Sequence, residues 1–368
     1  MPGIVTKIKN YIFFLFRTAS YYKLSNKKKY AIVNVDSQLA NFDTARYSYI
    51  LCRYFQHAGF NIILKANRYY FRIISKYKKH ILKEKYLLVK NCSTTTNTVV
   101  LAVPNQNNKT ISLTYGYKVL EKSRYDCIAP YTLHPNFHQS YPSESTFAEY
   151  RTSKRRIQVL FAGNTEINKY NRRELVDEFN VMTRVQVIDF IKNKYKDGKN
   201  LSLVSDKNVF YEMFTGHTNL TPLVISEAKC DNKDWLQIVS NATFFLCPPG
   251  VYMPWCHNLI EAMAVGTIPI LQYADLMVPR LKHLENCLTF SNFEELQHAI
   301  DLALKLDQGE VSRMKANVIQ YYQNYLSIES IVETIKSFAA SDKLETTVAI
   351  PFVPQEKNTP GSRRTLKK

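Results

Sequence analysis

The run CHNLIEAMAVGTIPIL, residues 256–271, sets His257, Asn258 and Glu261 within five positions of one another. Its apolar residues recur at helical spacing up to Gly266, and then TIPIL reads as a short buried strand. Before it lies FFLCPPG, an apolar strand that breaks at a Pro-Pro-Gly turn. In a strand–turn–helix unit of this kind the helix N-terminus sits at the carboxyl edge of the sheet. Free N–H groups and a partial positive charge there favour a phosphate group. His257 and Asn258 fall near that end, and Glu261 lies three or four residues on, on the same face. A carboxylate so placed could accept hydrogen bonds from ribose hydroxyls while the backbone holds a diphosphate. The plain alternative is a solvated helix carboxylate and a packed core histidine.

Such a unit needs a parallel sheet around it, and the chain supplies the elements for two. YAIVNV (residues 30–35), a polar loop, TARYSYILCRYFQHAGF and NIILKA give a β-loop-α-β opening. RYYFRIISKYKKHILKEKYLLVK, residues 68–90, reads as one basic helix. NTVVLAVP and YDCIAPY are further strand candidates. HPNFHQSYPSESTFAEYRTSKRR, residues 134–156, is rich in Pro, Ser and charge and reads as a linker or crossover. A second α/β series follows from RIQVLFAG, with LSLVSD, TPLVISE, TFFLCPPG, TIPILQ and CLTFSN as strands and helices between them. The expected division is a basic aromatic segment at 1–29, a first Rossmann-like domain at 30–150, a second at 151–340 with closing helices, and an extended or disordered tail at 341–368. The fold class is α/β, two Rossmann-like domains facing a cleft.

Charge divides the chain in the same way. The net charge is +18. Residues 1–150 hold 16 Lys and 6 Arg against 7 Asp or Glu, a balance of +15, which leaves +3 for the remainder. A basic half beside a near-neutral half suits an anionic partner such as nucleic acid, an acidic glycan or an anionic lipid surface. A genome that favours Lys, Asn, Tyr and Ile would leave the same imprint. The apolar run at 11–16 is too short to span a bilayer, and its Lys and Arg neighbours suit a segment lying on an anionic membrane surface or an ordinary docked helix. Seven scattered cysteines, with no CxxC, fit a reducing compartment and argue against a structural zinc site.

The quoted unit resembles the nucleotide-sugar-binding domain of GT-B-fold glycosyltransferases, in which a helix of pattern EAMAxGxxPI carries a ribose-binding glutamate. The form NLIEAMAVGTIPILQ looks closest to exostosin-like enzymes, and RRIQVLFAGNTEINKYNRREL is similar to the strand and basic helix that open their donor domain. The resemblance covers residues 155–293, about a third of the chain. It implies a hexosyltransferase-like activity on a nucleotide-sugar donor. By position Glu261 would hold the ribose, Arg172 or Arg173 would neutralise the diphosphate, and Gly250, Tyr252, His257 and Asn258 would line the donor pocket. Met253 stands eight positions before Glu261, where many retaining members carry an acid, so inversion is the expected course. Inversion needs a general base. Asp43, then Asp36, in the loop after the first strand, and His134 are the candidates. The two aspartates could equally cap the helix near Thr44.

With no DxD in a loop suited to metal, a metal-independent mechanism and no cofactor are expected. The acceptor would be a saccharide or lipid-linked glycan, in bacterial surface polysaccharide or lipopolysaccharide synthesis. The location would be cytoplasmic, peripheral on the inner membrane face. Nucleic acid is not an expected partner: no zinc-finger spacing, RRM signature or P-loop is present, and that alternative rests on charge alone. A glycan-binding protein of the same fold without turnover is the third reading.

Overall fold

The computed structural model describes residues 5, 8, 12, 16–19, 22–35, 46–66, 76–90, 98–115, 127–128, 133–198, 200–215, 220–251 and 253–350. The chain divides into two compact units, Met1–Cys127 with Ala339–Lys368, and Ile128–Phe338.

The first unit opens with β1 (Thr18–Ala19), β2 (Tyr30–Val35), α1 (Arg46–His57), β3 (Asn61–Ala66), α2 (Lys76–Lys83) and β4 (Leu87–Lys90). It continues through β5 (Thr98–Ala102) and β6 (Lys109–Tyr115) to β7 (Cys127–Ile128). The β-loop-α-β opening is as expected. Helix α1 stops where Gly59 takes φ +88°, a left-handed conformation that glycine adopts without penalty. The reading of residues 68–90 as one helix is corrected in its last part. Helix α2 ends at Lys83, and Leu87–Lys90 is a strand in which Leu88 and Val89 are buried between exposed ends. An apolar run of this length fits either class by periodicity, and its pairing with β3 decides for strand. Residues 68–75 lie outside the described residues.

The second unit begins with a 3-10 turn, Pro135–Gln139, and α3 (Glu144–Thr152), then β8 (Ile157–Ala162), a single turn at Ile167–Tyr170, α4 (Arg173–Phe179) and α5 (Arg184–Tyr195). Next come β9 (Leu201–Val204), α6 (Lys207–Thr215), β10 (Thr221–Ser226), α7 (Trp235–Ser240), β11 (Ala242–Leu246), α8 (His257–Ala264), β12 (Ile268–Leu271) and β13 (Leu288–Thr289). Helices α9 (Phe293–Lys305), α10 (Gln308–Tyr321) and α11 (Ile328–Ala340) close it, and β14 (Glu345–Ile350) returns to the first unit. The stretch read from composition as a linker, residues 134–156, thus carries two helical segments, with Phe147 and Arg151 buried. Of the tail, residues 345–350 are a strand, and those beyond 350 lie outside the described residues.

The sheet of the first unit runs β1-β4-β3-β2-β5-β6-β14-β7. Strands β1 to β4 are parallel, β5 is antiparallel to both neighbours, and β14 is parallel to β6. Ile32, Ile63 and Val89, from three adjacent strands, form a buried cluster on this sheet.

The second sheet, β13-β12-β11-β8-β10-β9, is parallel throughout. Every residue of β11 and β12 is buried, the continuous apolar run expected of strands covered on both faces. Helix α9 buries Leu296, Ala299, Ile300 and Ala303, one stripe at helical spacing. The strand order reverses at β8: β10 and β9 lie on one side of it, β11 to β13 on the other. Ligands in open α/β sheets bind beyond the carboxyl ends of the strands at such a reversal. Both units are α/β with parallel-rich sheets.

Candidate functional site

A pocket of about 430 Å³ opens at the carboxyl edge of the second sheet. Its walls are the last residue of β8 and the three that follow it (162–165), those that follow β10 (227–230 and 232), Trp235, the first turns of α8, and His134 with Phe137. It is therefore built where the strand order reverses, entirely from the second unit.

Helix α8 is delivered there by the Pro-Pro-Gly turn. A Cβ added to Gly250 would stand 2.7 Å from the carbonyl oxygen of Met253 and 2.9 Å from that of Trp255, so the turn closes only with glycine. The Gly250 N–H donates to the Pro254 carbonyl at 3.0 Å. Cys256, the residue before the helix, makes no side-chain cap. Asn258 reaches across to the end of β8, its Nδ2 donating to the Ala162 carbonyl at 3.4 Å.

Glu261 is 2% exposed. Its Oε1 accepts the backbone N–H of His134 at 3.0 Å, and its Oε2 accepts the indole N–H of Trp235 at 2.6 Å. Desolvation pushes its carboxyl up to about 7, although both hydrogen bonds pull the other way. The solvated-carboxylate alternative is thereby excluded: this is a buried acid balanced near neutrality. The rings of His134 and His257 meet edge to face, centroids 4.9 Å apart, beside it. The Nδ1 of His134 accepts the Asn136 N–H at 3.2 Å, which leaves Nε2 to carry the proton of the neutral ring. On the far wall Glu227 pairs with Lys192 at 2.8 Å, and its carboxyl is held below the usual range by that hydrogen bond.

The structure thus brings His134, His257, Asn258 and Glu261 together. Arg172, Arg173 and Gly250 do not line this pocket. Arg173 is exposed and stands 3.9 Å from Asp177 on the same helix, and Gly250 shapes the turn behind the wall. Asp36, Asp43 and Tyr252 lie outside the described residues.

Two residues that matter carried no motif. Trp235 fixes one oxygen of Glu261 and packs edge-on against Phe245. Arg184, 5% exposed, donates to the carbonyls of Pro249 and Asn164, both at 3.1 Å, with its guanidinium 4.0 Å from the Tyr170 ring centroid. It ties the Pro-Pro-Gly turn to the loop after β8. One of only two tryptophans in the chain, at the head of a helix, was a signal open to reading; Arg184 offered none. Among the described residues no group of three or more His, Cys, Asp or Glu could hold a metal ion, and no helix is long and apolar enough to cross a membrane.

No protein-family model and no curated protein matches this chain. Solved structures do. The N-terminal domain of Candida albicans trehalose-6-phosphate phosphatase aligns at 12% identity over 91% of this chain and 75% of that one, with a TM-score of 0.37. A glycosyltransferase from Rickettsia africae aligns at 9% identity over 83% and 96%, TM-score 0.39. The Anabaena protein HepE, solved with UDP and glucose, aligns at 12% identity over 84% and 71%, TM-score 0.31. Likeness at this level decides nothing about chemistry. The functional reading stands on the pocket itself.

Proposed function

We propose that the chain is a glycosyltransferase whose second unit binds a nucleotide-sugar donor in the pocket described above. The observation that carries this is Glu261: a buried carboxylate on the first turns of α8, in the wall of a pocket at the strand reversal. A vicinal diol donates two hydrogen bonds, and a carboxylate with several lone pairs can accept them beside Trp235 and His134. The N–H groups that open α8 suit the diphosphate. The loop at residues 227–230 completes the wall against which the base is proposed to lie. His134, with Nε2 as donor, suits a developing charge on the leaving group better than proton abstraction.

The finer reading is of an exostosin-like, inverting, metal-independent enzyme, with Asp43, and next Asp36, as the acceptor-side base. Arg172 or Arg173 is proposed to meet the diphosphate. The acceptor is proposed to be a saccharide or lipid-linked glycan of a bacterial surface polysaccharide or lipopolysaccharide, reached from the inner membrane face. The balance of +15 over residues 1–150 supports an anionic acceptor or surface.

Thermal shift with UDP, GDP, CMP and their sugars, on wild type, Glu261→Ala and Asn258→Ala, tests the reading. A ligand selective for the native state raises the melting temperature by mass action. One nucleotide class is expected to stabilise wild type, with the effect reduced in both variants. Equal shifts in wild type and both variants would place the nucleotide elsewhere and overturn the assignment.

A further inference from the structure

The amino edge of the second sheet, one strand length from the donor pocket, holds a separate cavity of about 230 Å³. Strand β8 has six residues, so the two openings lie on the order of 20 Å apart. The cavity is far larger than the ~10–15 Å³ that one water needs. Its walls come from the amino ends of β8, β11 and β12 and from the first two turns of α10. They include Arg155, Lys315, Gln158, Thr243, Gln308 and Ser312, and no acidic residue.

Arg155 and Lys315 are the unusual feature. The Arg155 guanidinium is spent on main chain and hydroxyl: the carbonyls of Ser240, Ala242, Val265 and Gly266, and the Thr267 hydroxyl. The Lys315 ammonium donates to the Arg151 carbonyl, which leaves two of its three N–H groups. Neither cation has an ion pair among the described residues. The two acids that precede Lys315 most closely in the chain, Glu310 and Asp307, are engaged elsewhere: Glu310 pairs with Arg313, and Asp307 caps α10 by accepting the Glu310 N–H. Burial and the neighbouring Arg155 charge hold Lys315 down at about 8, and burial alone brings Arg155 down to about 10. Two like charges, partly desolvated and without a counter-ion, face one polar cavity. Such a pair costs stability unless an anion joins it.

We propose that this cavity is a binding site for a phosphate group, with Lys315 as the adjustable donor and Arg155 as the fixed charge behind it. The occupant is a small phosphate, free or as a monoester of a small polyol; Gln158, Thr243, Gln308 and Ser312 supply polar walls for its remaining oxygens. Arg155 also holds the carbonyls of Val265 and Gly266, just past the end of α8, whose first turns line the donor pocket. The site is independent of the donor reading and uses none of its residues.

The test is a titration of the full chain with inorganic phosphate and, separately, glycerol phosphate at constant ionic strength, read by thermal shift. Wild type, Lys315→Met, Ser312→Asp and Asn258→Ala are compared. Ser312→Asp sets a carboxylate one turn before Lys315 on an exposed position, so it supplies the missing counter-ion without disturbing the core. Wild type and Asn258→Ala are expected to show the same saturable stabilisation. Lys315→Met and Ser312→Asp are each expected to weaken it about tenfold or more. A lower midpoint for glycerol phosphate assigns a monoester, and a lower one for inorganic phosphate assigns the free ion. No saturable shift in wild type, an unchanged midpoint in Lys315→Met, or loss of the effect in Asn258→Ala would overturn the site. The last result would place the phosphate in the donor pocket.

Discussion

Replacing Glu261 by Gln gives a stability difference whose pH dependence follows from the burial of one carboxyl. The native carboxyl is raised from 4.5 to about 7, chiefly by desolvation. A group that binds its proton more tightly in the folded state contributes stability below the unfolded value, and that contribution is lost as pH rises through the folded one. The window is therefore 4.5 to about 7. A shift of roughly 2.5 units at ~1.4 kcal/mol each amounts to about 3 kcal/mol. Glutamine carries no charge at any pH, but its NH2 cannot accept, so either the His134 N–H or the Trp235 indole loses its partner. That costs about 1–3 kcal/mol at every pH. Below pH 4.5 the variant should be less stable than wild type by this amount. Near pH 8 the gap should close or reverse, because wild type then bears the ionised group. Urea unfolding followed by tryptophan emission measures the difference. Both tryptophans, Trp235 and Trp255, lie in the second unit, so the signal reports that unit, and subtraction removes other titrating groups. A difference constant to within ~0.5 kcal/mol between pH 4.5 and 8 would refute the argument, because an exposed or unshifted carboxyl gives that result.

Three further outcomes follow from the same geometry. Trp235→Phe removes a hydrogen bond that pulls the Glu261 carboxyl down, so the pH window seen in the Gln comparison should move upward; an unmoved window would show that the indole bond does not bear on the titration. Gly250→Ala forces a Cβ against two backbone carbonyls and should cost about 1–3 kcal/mol in urea unfolding, with a fall in nucleotide affinity if the turn sets the pocket. Arg184→Met removes charged donors to Pro249 and Asn164 and the contact with Tyr170. It should cost about 3 kcal/mol, and Arg184→Lys less, because an ammonium keeps the charge but cannot span both carbonyls.

Local pattern carried most of the second unit. Apolar runs that end at turn residues gave β8, β11 and β12, because strands buried on both faces leave that mark. The EAMAVG run placed a helix and its stop at Gly266, where φ is +71°. The same pattern set Glu261 beside Asn258 and His257 on the first turns. Composition was the poorer guide. The Pro- and Ser-rich stretch before β8 reads as a linker, yet it buries Phe147 and Arg151 and presents the His134 N–H to Glu261. That contact spans 127 positions, and no local spacing encodes it. Leu87–Lys90 reads as part of the preceding helix for a related reason: so short an apolar run, Leu87 to Val89, takes its class from the strand beside it. Arg184 leaves no mark in the sequence because its role exists only after the sheet has gathered the Pro-Pro-Gly turn and the loop after β8 at one edge.

The pocket around Glu261 is proposed to receive a nucleotide-sugar. Trp235 lines that pocket, and its indole is bonded to the carboxylate proposed to take the ribose. Titrating nucleoside diphosphates and their sugars while following tryptophan emission, in wild type and Trp235→Phe, is the most direct measurement. A saturable change with one nucleotide class, absent in the variant that retains only Trp255, is the predicted result. No saturable change with any nucleotide in folded wild-type protein would contradict the account.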